Sequence, residues 1–362
     1  MAYTTIDKPS DYFSVNLWVA DDSSPRSLTG FGHQPDLVWT KHRGSGATYH
    51  TLTDSVRGGD KQLSTPTNAS EDSGSHGKIS AFGSDGITVI DGTNATYPRL
   101  TFNKLNPFGA SVGGNYVGYS WKASGSTSSN TDGSITSTVS ANTTAGFSIV
   151  SYTGTGANAT VGHGLNAVPK MIICKNRIDA ETWGTYHVGI GATKYLGLNL
   201  TQAASTSSTP WNDTEPTSSV FSLGSWGAVN GSGDNCIAYC FAEKKGYSKF
   251  GSYTGNGSTD GTFVYTGFKP AFVIIKPYTN AGYTWNIYDN KRDSDNVVSQ
   301  VLTANTSSAE ITSSNNTLDF LSNGFKCRAT DGNTNGSGFG YIYMAFAENP
   351  FVTSTGIPSC AR

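Results

Sequence analysis

Pro35-Asp36-Leu37-Val38-Trp39-Thr40-Lys41, Pro169-Lys170-Met171-Ile172-Ile173-Cys174-Lys175 and Pro270-Ala271-Phe272-Val273-Ile274-Ile275-Lys276 are one pattern written three times. Each time a proline opens an apolar run and a lysine closes it six positions later. Self-similarity at fixed spacing bears on architecture before any local reading, and here it predicts three copies of a β-rich unit of about a hundred residues.

Side chains of a strand alternate between two faces. Leu37 and Trp39, Met171 and Ile173, and Phe272 and Ile274 therefore share one face. Val38 and Thr40, Ile172 and Cys174, and Val273 and Ile275 share the other. Both faces are largely apolar, which predicts a strand covered on two sides and central in its sheet. Proline is tolerated at the first position of such a strand. The lysine is expected to lie just past the buried part and to reach solvent.

The surroundings repeat as well. An aromatic strand leads each copy: Phe13 to Trp18, Phe147 to Tyr152, and Phe250 to Tyr253. Tyr49-His50, Tyr186-His187 and Tyr288-Asp289 follow the lysine and read as equivalent positions. Each copy closes on a second apolar run: Tyr116 to Ala123, Cys236 to Glu243, and Tyr341 to Glu348. The first copy is the most divergent and carries an extra loop near Tyr97 to Phe108. Helical periodicity is absent, and the intervals are dense in Gly, Ser, Thr, Asn and Asp, which favour turns. The expected fold class is all-β, as three tandem β-sandwich units, jelly-roll-like or lectin-like. The units are 1–123, 146–249 and 250–352, each long enough to bury its own core, with a C-terminal tail at 353–362.

Residues 124–145, SGSTSSNTDGSITSTVSANTTA, hold almost nothing to bury. Such a segment does not recover its ordering entropy alone. It reads as a linker between the first two units, or else as an extended strand that adds to a neighbouring chain. Lys249-Phe250 passes directly from the second unit to the third, so those two are expected to form a rigid pair.

Charged residues make up only 14% of the 362, against the usual quarter. Net charge is −2, so no broad electrostatic hold on nucleic acid is expected. Met1 to Lys8 lacks a basic stretch followed by an apolar one, as a secretory leader would have. No apolar run approaches the ~20 residues of a membrane-spanning helix. The expectation is a protein made in a cytosol and not inserted in a membrane. Five cysteines imply no complete disulfide framework. Cys174, Cys236, Cys240 and Cys327 read as small core hydrophobes, and Cys360 as an exposed residue near the terminus.

His33, His42, His50, His76, His163 and His187 show no metal-type spacing. Asp331-Gly332-Asn333-Thr334-Asn335-Gly336 imitates the start of a calcium loop, but Ile342 stands where its last ligand, a glutamate, belongs. It reads as a hairpin turn, and Asp293-Ser294-Asp295-Asn296 and Asp21-Asp22 read as solvated turns. No nucleophile elbow or phosphate loop appears. Glycosidase carboxylates can lie far apart in sequence, and nothing nominates a pair. No catalytic residue, metal or cofactor is expected, and the chain reads as a non-enzyme.

Aromatic rings beside Asn and Asp can grip a sugar or a flat protein surface. Trp183, Tyr186, Trp285 and Tyr288 recur after the repeated strand, and Trp211 and Trp226 lie in the most polar part of the second unit. All six are candidate glycan or partner contacts. Recurrence favours burial for the first four, where each ring would remove about 150–250 Å² from water. Trp211 does not recur and is the better candidate for a surface contact.

The opening Tyr12-Phe13, the Gly-Phe turns ahead of the repeated strand, the stretch Tyr341 to Phe351 and the ending Gly356 to Arg362 resemble a known family. It consists of repeat proteins encoded by tailed bacteriophages of marine bacteria, including cyanophages and pelagiphages. The resemblance covers nearly the whole chain except 124–145. It implies a virion structural protein of the particle surface: a tail fibre, spike or capsid-decorating component. The implied partners are other virion proteins and host-surface polysaccharide. The implied location is the virion, after synthesis in the host cytoplasm and release by lysis. A homotrimer is the usual form of phage fibres, although no heptads here demand one. The family supplies no catalytic residues. Two other readings stay open: a soluble carbohydrate-binding module array, and a polysaccharide depolymerase with acids facing in a groove.

Overall fold

The computed structural model describes residues 2–44, 48–93, 102–105 and 114–359. Most of the loop expected near Tyr97 to Phe108, and Cys360, lie outside these residues.

The chain is all-β, with three large antiparallel sheets. The first runs, in spatial order, Phe13–Val19, Asn115–Trp121, Leu37–His42, Thr51–Asp54, Leu63–Ser64. The second contains the same order, Phe147–Thr153, Asn235–Ala242, Pro169–Asn176, Gly184–His187, Lys194–Gly197, and is extended at both ends. The third repeats it with Ser248–Thr254, Gly340–Pro350, Phe268–Pro277, Asn286–Asp289, Gln300–Thr303, then Ile311–Thr312. The proline–lysine strand has a neighbour on both sides in every sheet, as its two apolar faces predict.

Register repeats residue for residue. Leu37 faces Trp121 and Trp39 faces Tyr119; Met171 faces Phe241 and Ile173 faces Tyr239; Phe272 faces Phe346 and Ile274 faces Met344. One face of each sheet packs with a small second sheet into its own core. Val38 lies in one such core, Ile172 and Cys174 in another, Val273 and Ile275 in a third. The other face of all three sheets enters one common core. At its centre Trp121, Phe241 and Phe346, equivalent residues of the three closing strands, form a triangle with ring centroids 5.7, 6.0 and 6.1 Å apart. The copies therefore stand around a pseudo-threefold axis. The expected rigid pair is a rigid trio, and no copy closes its inner face alone.

Residues 124–145 are not a linker. Ser137–Asn142 pairs with Phe147–Thr153, and Ser128–Asn130 pairs with Ser137–Asn142, so the segment extends the second sheet. Ile135 and Val139 are buried in that copy's outer core and Ala145 in the common core. Few apolar residues suffice because an existing sheet satisfies the backbone.

The lysines do not reach solvent either. Lys41, Lys175 and Lys276 are all buried. Each ammonium ties down the turn after its strand. Lys41 Nζ donates to His42 O at 2.8 Å and Thr48 Oγ1 at 3.0 Å, Lys175 to Asn176 O at 2.6 Å, and Lys276 to Tyr283 O at 2.5 Å. Backbone carbonyls replace water as acceptors.

The register also corrects the alignment of His50. Asp54 faces Leu37 as His187 faces Met171 and Asp289 faces Phe272. His50 instead matches Trp183 and Trp285: the carbonyls of these three accept from Thr65, Leu198 and Ala304. Both tryptophans cross a seam between copies. Trp183 Nε1 donates to Ser64 O and Trp285 Nε1 to Gly197 O, each at 3.0 Å.

Two seams carry matching buried ion pairs. Between the first and second copies, Arg57 pairs with Asp54 at 2.5 Å and Glu71 at 2.8 Å, and Glu71 takes a second arginine, Arg177. Between the third and first, Arg292 pairs with Asp289 and with Glu310 at 3.0 Å, and Glu310 takes Arg43. The remaining seam places Ile190 where these arginines stand and Ala204 where the glutamates stand. Ala204 N donates to Tyr278 O as Glu71 N does to Arg177 O and Glu310 N to Arg43 O.

Candidate functional site

The copies differ most usefully in one loop. Between Asn286–Asp289 and Gln300–Thr303 the third copy has ten residues, 290–299. The corresponding loop is 188–193, six residues, in the second copy and 55–62, eight residues, in the first. The longer loop is pinned at two points. Asp293 Oδ2 accepts from Ser299 N at 2.5 Å and Gln300 N at 2.6 Å. The Asn296 side chain mimics a strand: its Nδ2 donates to Phe320 O at 3.0 Å, and its Oδ1 accepts from Phe320 N at 2.8 Å.

A cavity of about 750 Å³ opens between this loop, the hairpin turn Phe320 to Asn323, and the sheet end at Lys269 and Glu348. Small-molecule sites are commonly about 300–1,000 Å³. The lining is polar, with Asp293, Asp295, Asn290 and Asn323 among it, and Phe320 is its aromatic residue. Lys269 Nζ lies 2.7 Å from Glu348 Oε2. That oxygen makes no hydrogen bond by angle, so the contact is one of charge. Asn290 Oδ1 is buried and has no hydrogen-bond partner among the described residues, so it is closed to a ligand unless the loop shifts. Amides, carboxylates and one ammionium-type donor around a single ring suit a compact polyhydroxylated ligand.

The six aromatic candidates are not here. Trp183, Trp285, Tyr186, Tyr288 and Trp211 are all buried, and none lines the cavity. Trp183 and Trp285 belong to the common core, and Tyr186 and Tyr288 to their own copies' outer cores. Trp211, expected at the surface, packs edge-on against Tyr186 with centroids 6.1 Å apart. Trp226 is half-buried against Tyr195. Polar flanks in sequence did not prevent these rings from filling a core. Asp293 to Asn296, read as a solvated turn, lines the cavity instead. The signal that finds it is loop length compared between copies.

Other titratable groups are set by burial. Burial pulls Lys41 down to about 7, and Lys175 and Lys276 to about 8. It lowers His187 to about 4 and His50 well below the usual range. It pushes the Cys236 and Cys327 thiols up to about 12, and Cys174 and Cys240 also rise. These thiols are protonated and unreactive near neutral pH. Among the described residues no group of three or more His, Cys, Asp and Glu is arranged to hold a metal ion.

Residues 8–350 match the family described as Domain of unknown function (DUF7483). The chain belongs to that family. No curated protein and no solved structure matches it. The DUF7483 match spans all three copies together, in keeping with a core that no single copy closes.

Proposed function

We propose that this DUF7483 chain is a structural protein of a bacteriophage particle surface, a fibre, spike or capsid-decorating component that works by binding. In this reading it is three tandem β-sandwiches fused around one core, anchored to other virion proteins, with the third copy's cavity gripping host-surface polysaccharide. The virion part rests on the sequence resemblance. The cavity carries the binding part, because its loop is longer in this copy alone and its lining offers amide, carboxylate and ammonium groups to hydroxyls.

Two experiments test it. A glycan array probed with wild type and with Asp295→Ala/Asn323→Ala should show an envelope polysaccharide bound by the first and lost by the second. Silence of the wild type across the array removes the glycan reading. Mass spectrometry of purified particles should find the protein. Its absence from particles together with glycan binding would favour a soluble carbohydrate-binding array. Release of reducing ends from the bound polysaccharide would favour a depolymerase using the cavity carboxylates.

A further inference from the structure

The small outer sheet of the third copy ends on an open strand, Phe263–Tyr265. On one side it pairs with Gly324–Cys327, and its middle residue, Val264, is buried facing Phe325. Cys327 N donates to Thr262 O and Thr266 N to Asn323 O. Antiparallel bonding alternates along a strand, so the ladder runs through Thr262, Val264 and Thr266. The N–H and C=O groups of Phe263 and Tyr265 point the other way, and no hydrogen bond from a described residue reaches them. Their side chains are 45% and 54% exposed.

The second copy shows this edge occupied. There Ala159–Gly162 is the same strand, with Val161 facing Phe221 as Val264 faces Phe325. Thr160 and Gly162 stand where Phe263 and Tyr265 stand. Residues 134–137 run along them, with Ile135 bridged in parallel to Val161. Ile135 N donates to Thr160 O at 3.0 Å, Thr160 N to Ser134 Oγ at 2.9 Å, and Ser137 Oγ to Gly162 O at 2.8 Å. The edge groups satisfied in the second copy are those left open in the third. The third copy has no such strap: only residues 243–247 separate Asn235–Ala242 from its opening strand Ser248–Thr254.

The side chains change with the edge. The first two copies have small residues at these positions, Ser27 with Thr29 and Thr160 with Gly162, and the third has Phe and Tyr. Exposed apolar residues on an unpaired edge invite association. The nearby charges already have partners: Lys326 pairs with Asp260, and Arg328 with Asp319 at 3.3 Å. An incoming charged strand would find no free counter-charge among them.

We propose that this edge docks an extended strand from a partner protein. The strand is uncharged and Ser/Thr-rich with a central β-branched residue, and it runs parallel to Phe263–Tyr265 as 134–137 runs along Ala159–Gly162. Main-chain bonds hold it, and the two aromatic residues select its side chains. This site is independent of the cavity and of any glycan.

The probe is a fluorescein-labelled peptide of residues 133–139, GSITSTV, titrated into the full chain and followed by anisotropy. Wild type should bind it saturably, and a peptide with Asp in place of the isoleucine should not bind. Phe263→Pro deletes an outward N–H that the fold does not use, so it should keep its Tm and weaken binding by at least about tenfold. Phe263→Thr/Tyr265→Gly, which restores the second copy's residues, should weaken it less. Absence of saturable binding to wild type overturns the proposal, as does undiminished binding by folded Phe263→Pro. If that variant does not fold, hydrogen exchange of wild type decides: the Phe263 and Tyr265 amides must slow on adding peptide, and unchanged exchange overturns the docking site.

Discussion

Tyr119 Oη donates to the Asp289 carboxylate at 2.9 Å across the seam between the first and third copies. Tyr239 and Asp54 make the same contact at 2.8 Å between the second and first. At the third seam the equivalent residues are Met344 and His187, and the imidazole turns to Tyr343 O at 3.1 Å. One chain thus holds two ionic solutions and one largely apolar solution to a single contact. Burial pulls the Arg292 guanidinium down, and Asp289, Tyr119 and Glu310 together more than reverse it, leaving its pKa raised.

Removing one member of such a pair leaves a buried charge alone. Arg292→Ala is expected to cost about 3–5 kcal/mol, since the Asp289 carboxylate has no water to turn to. Asp289→His/Arg292→Ile/Tyr119→Met/Glu310→Ala/Arg43→Tyr copies the third seam and should recover most of that loss. Denaturant unfolding of both variants checks this. A single-variant cost below about 1 kcal/mol would show that solvent reaches the seam.

The common core predicts one unfolding event. Calorimetry of the whole chain should show a single transition, not three, because the triangle of Trp121, Phe241 and Phe346 draws one ring from each copy. Residues 124–362 expressed alone should bind a hydrophobic dye and lack a sharp transition. Three resolved heat-absorption peaks would contradict the shared core.

The buried lysines set a pH dependence. Folded, Lys41 titrates at about 7 and Lys175 and Lys276 at about 8; unfolded, each returns to about 10.4. Between those values the unfolded chain binds protons that the folded chain does not. Stability therefore rises with pH, by up to about 1.4 kcal/mol per pH unit for each fully titrated lysine. His187, held at about 4, acts in the same direction at lower pH. The buried thiols act oppositely once unfolded cysteines ionise, near about 8.5. Tm should climb from pH 6.5 to about 8.5 and then flatten, and Lys41→Met should reduce the slope. A Tm that falls between pH 7 and 8 would contradict the lysine assignment.

Excising Ser294 to Val297 shortens the ten-residue loop to the six of the second copy. Glycan binding should disappear, while Tm drops only by the few degrees expected from losing the Asn296 bonds to Phe320. Retained binding at retained Tm would move the ligand site elsewhere.

Thiol titration with an aromatic disulfide reagent should modify at most one cysteine in the native protein, because Cys174, Cys236, Cys240 and Cys327 are buried. All five should react in denaturant. Rapid native reaction of two or more would mean that the strands carrying them open readily.

The central place of the repeated strand was legible in Leu37-Val38-Trp39 and its two counterparts, because apolar residues on both faces report burial on both faces. Their partners were not legible. Periodicity shows that Met171 and Phe272 are buried, but nothing local shows that they meet residues of another copy. Lys41 looked like a strand end because its acceptors, His42 O and Thr48 Oγ1, come together only when the turn folds. Residues 124–145 looked unable to order because the sheet that satisfies their backbone begins beyond them. The cavity was hidden for a similar reason: Asp293 and Asn296 read as a turn until Phe320, more than twenty residues on, anchors them.

By itself the chain's order of residues determined a thrice-repeated β architecture, because alternation, turn chemistry and a recurring proline–lysine strand are local properties. Only the tertiary structure decided that the three copies share one interior, which aromatics lie within it, and which strand edge stays open. The shared interior depends on contacts between residues more than a hundred positions apart, such as Trp121 with Phe241. The buried rings and the open edge depend on contacts tens of positions apart, such as Tyr186 with Trp211 and Ile135 with Val161; no local pattern encodes either.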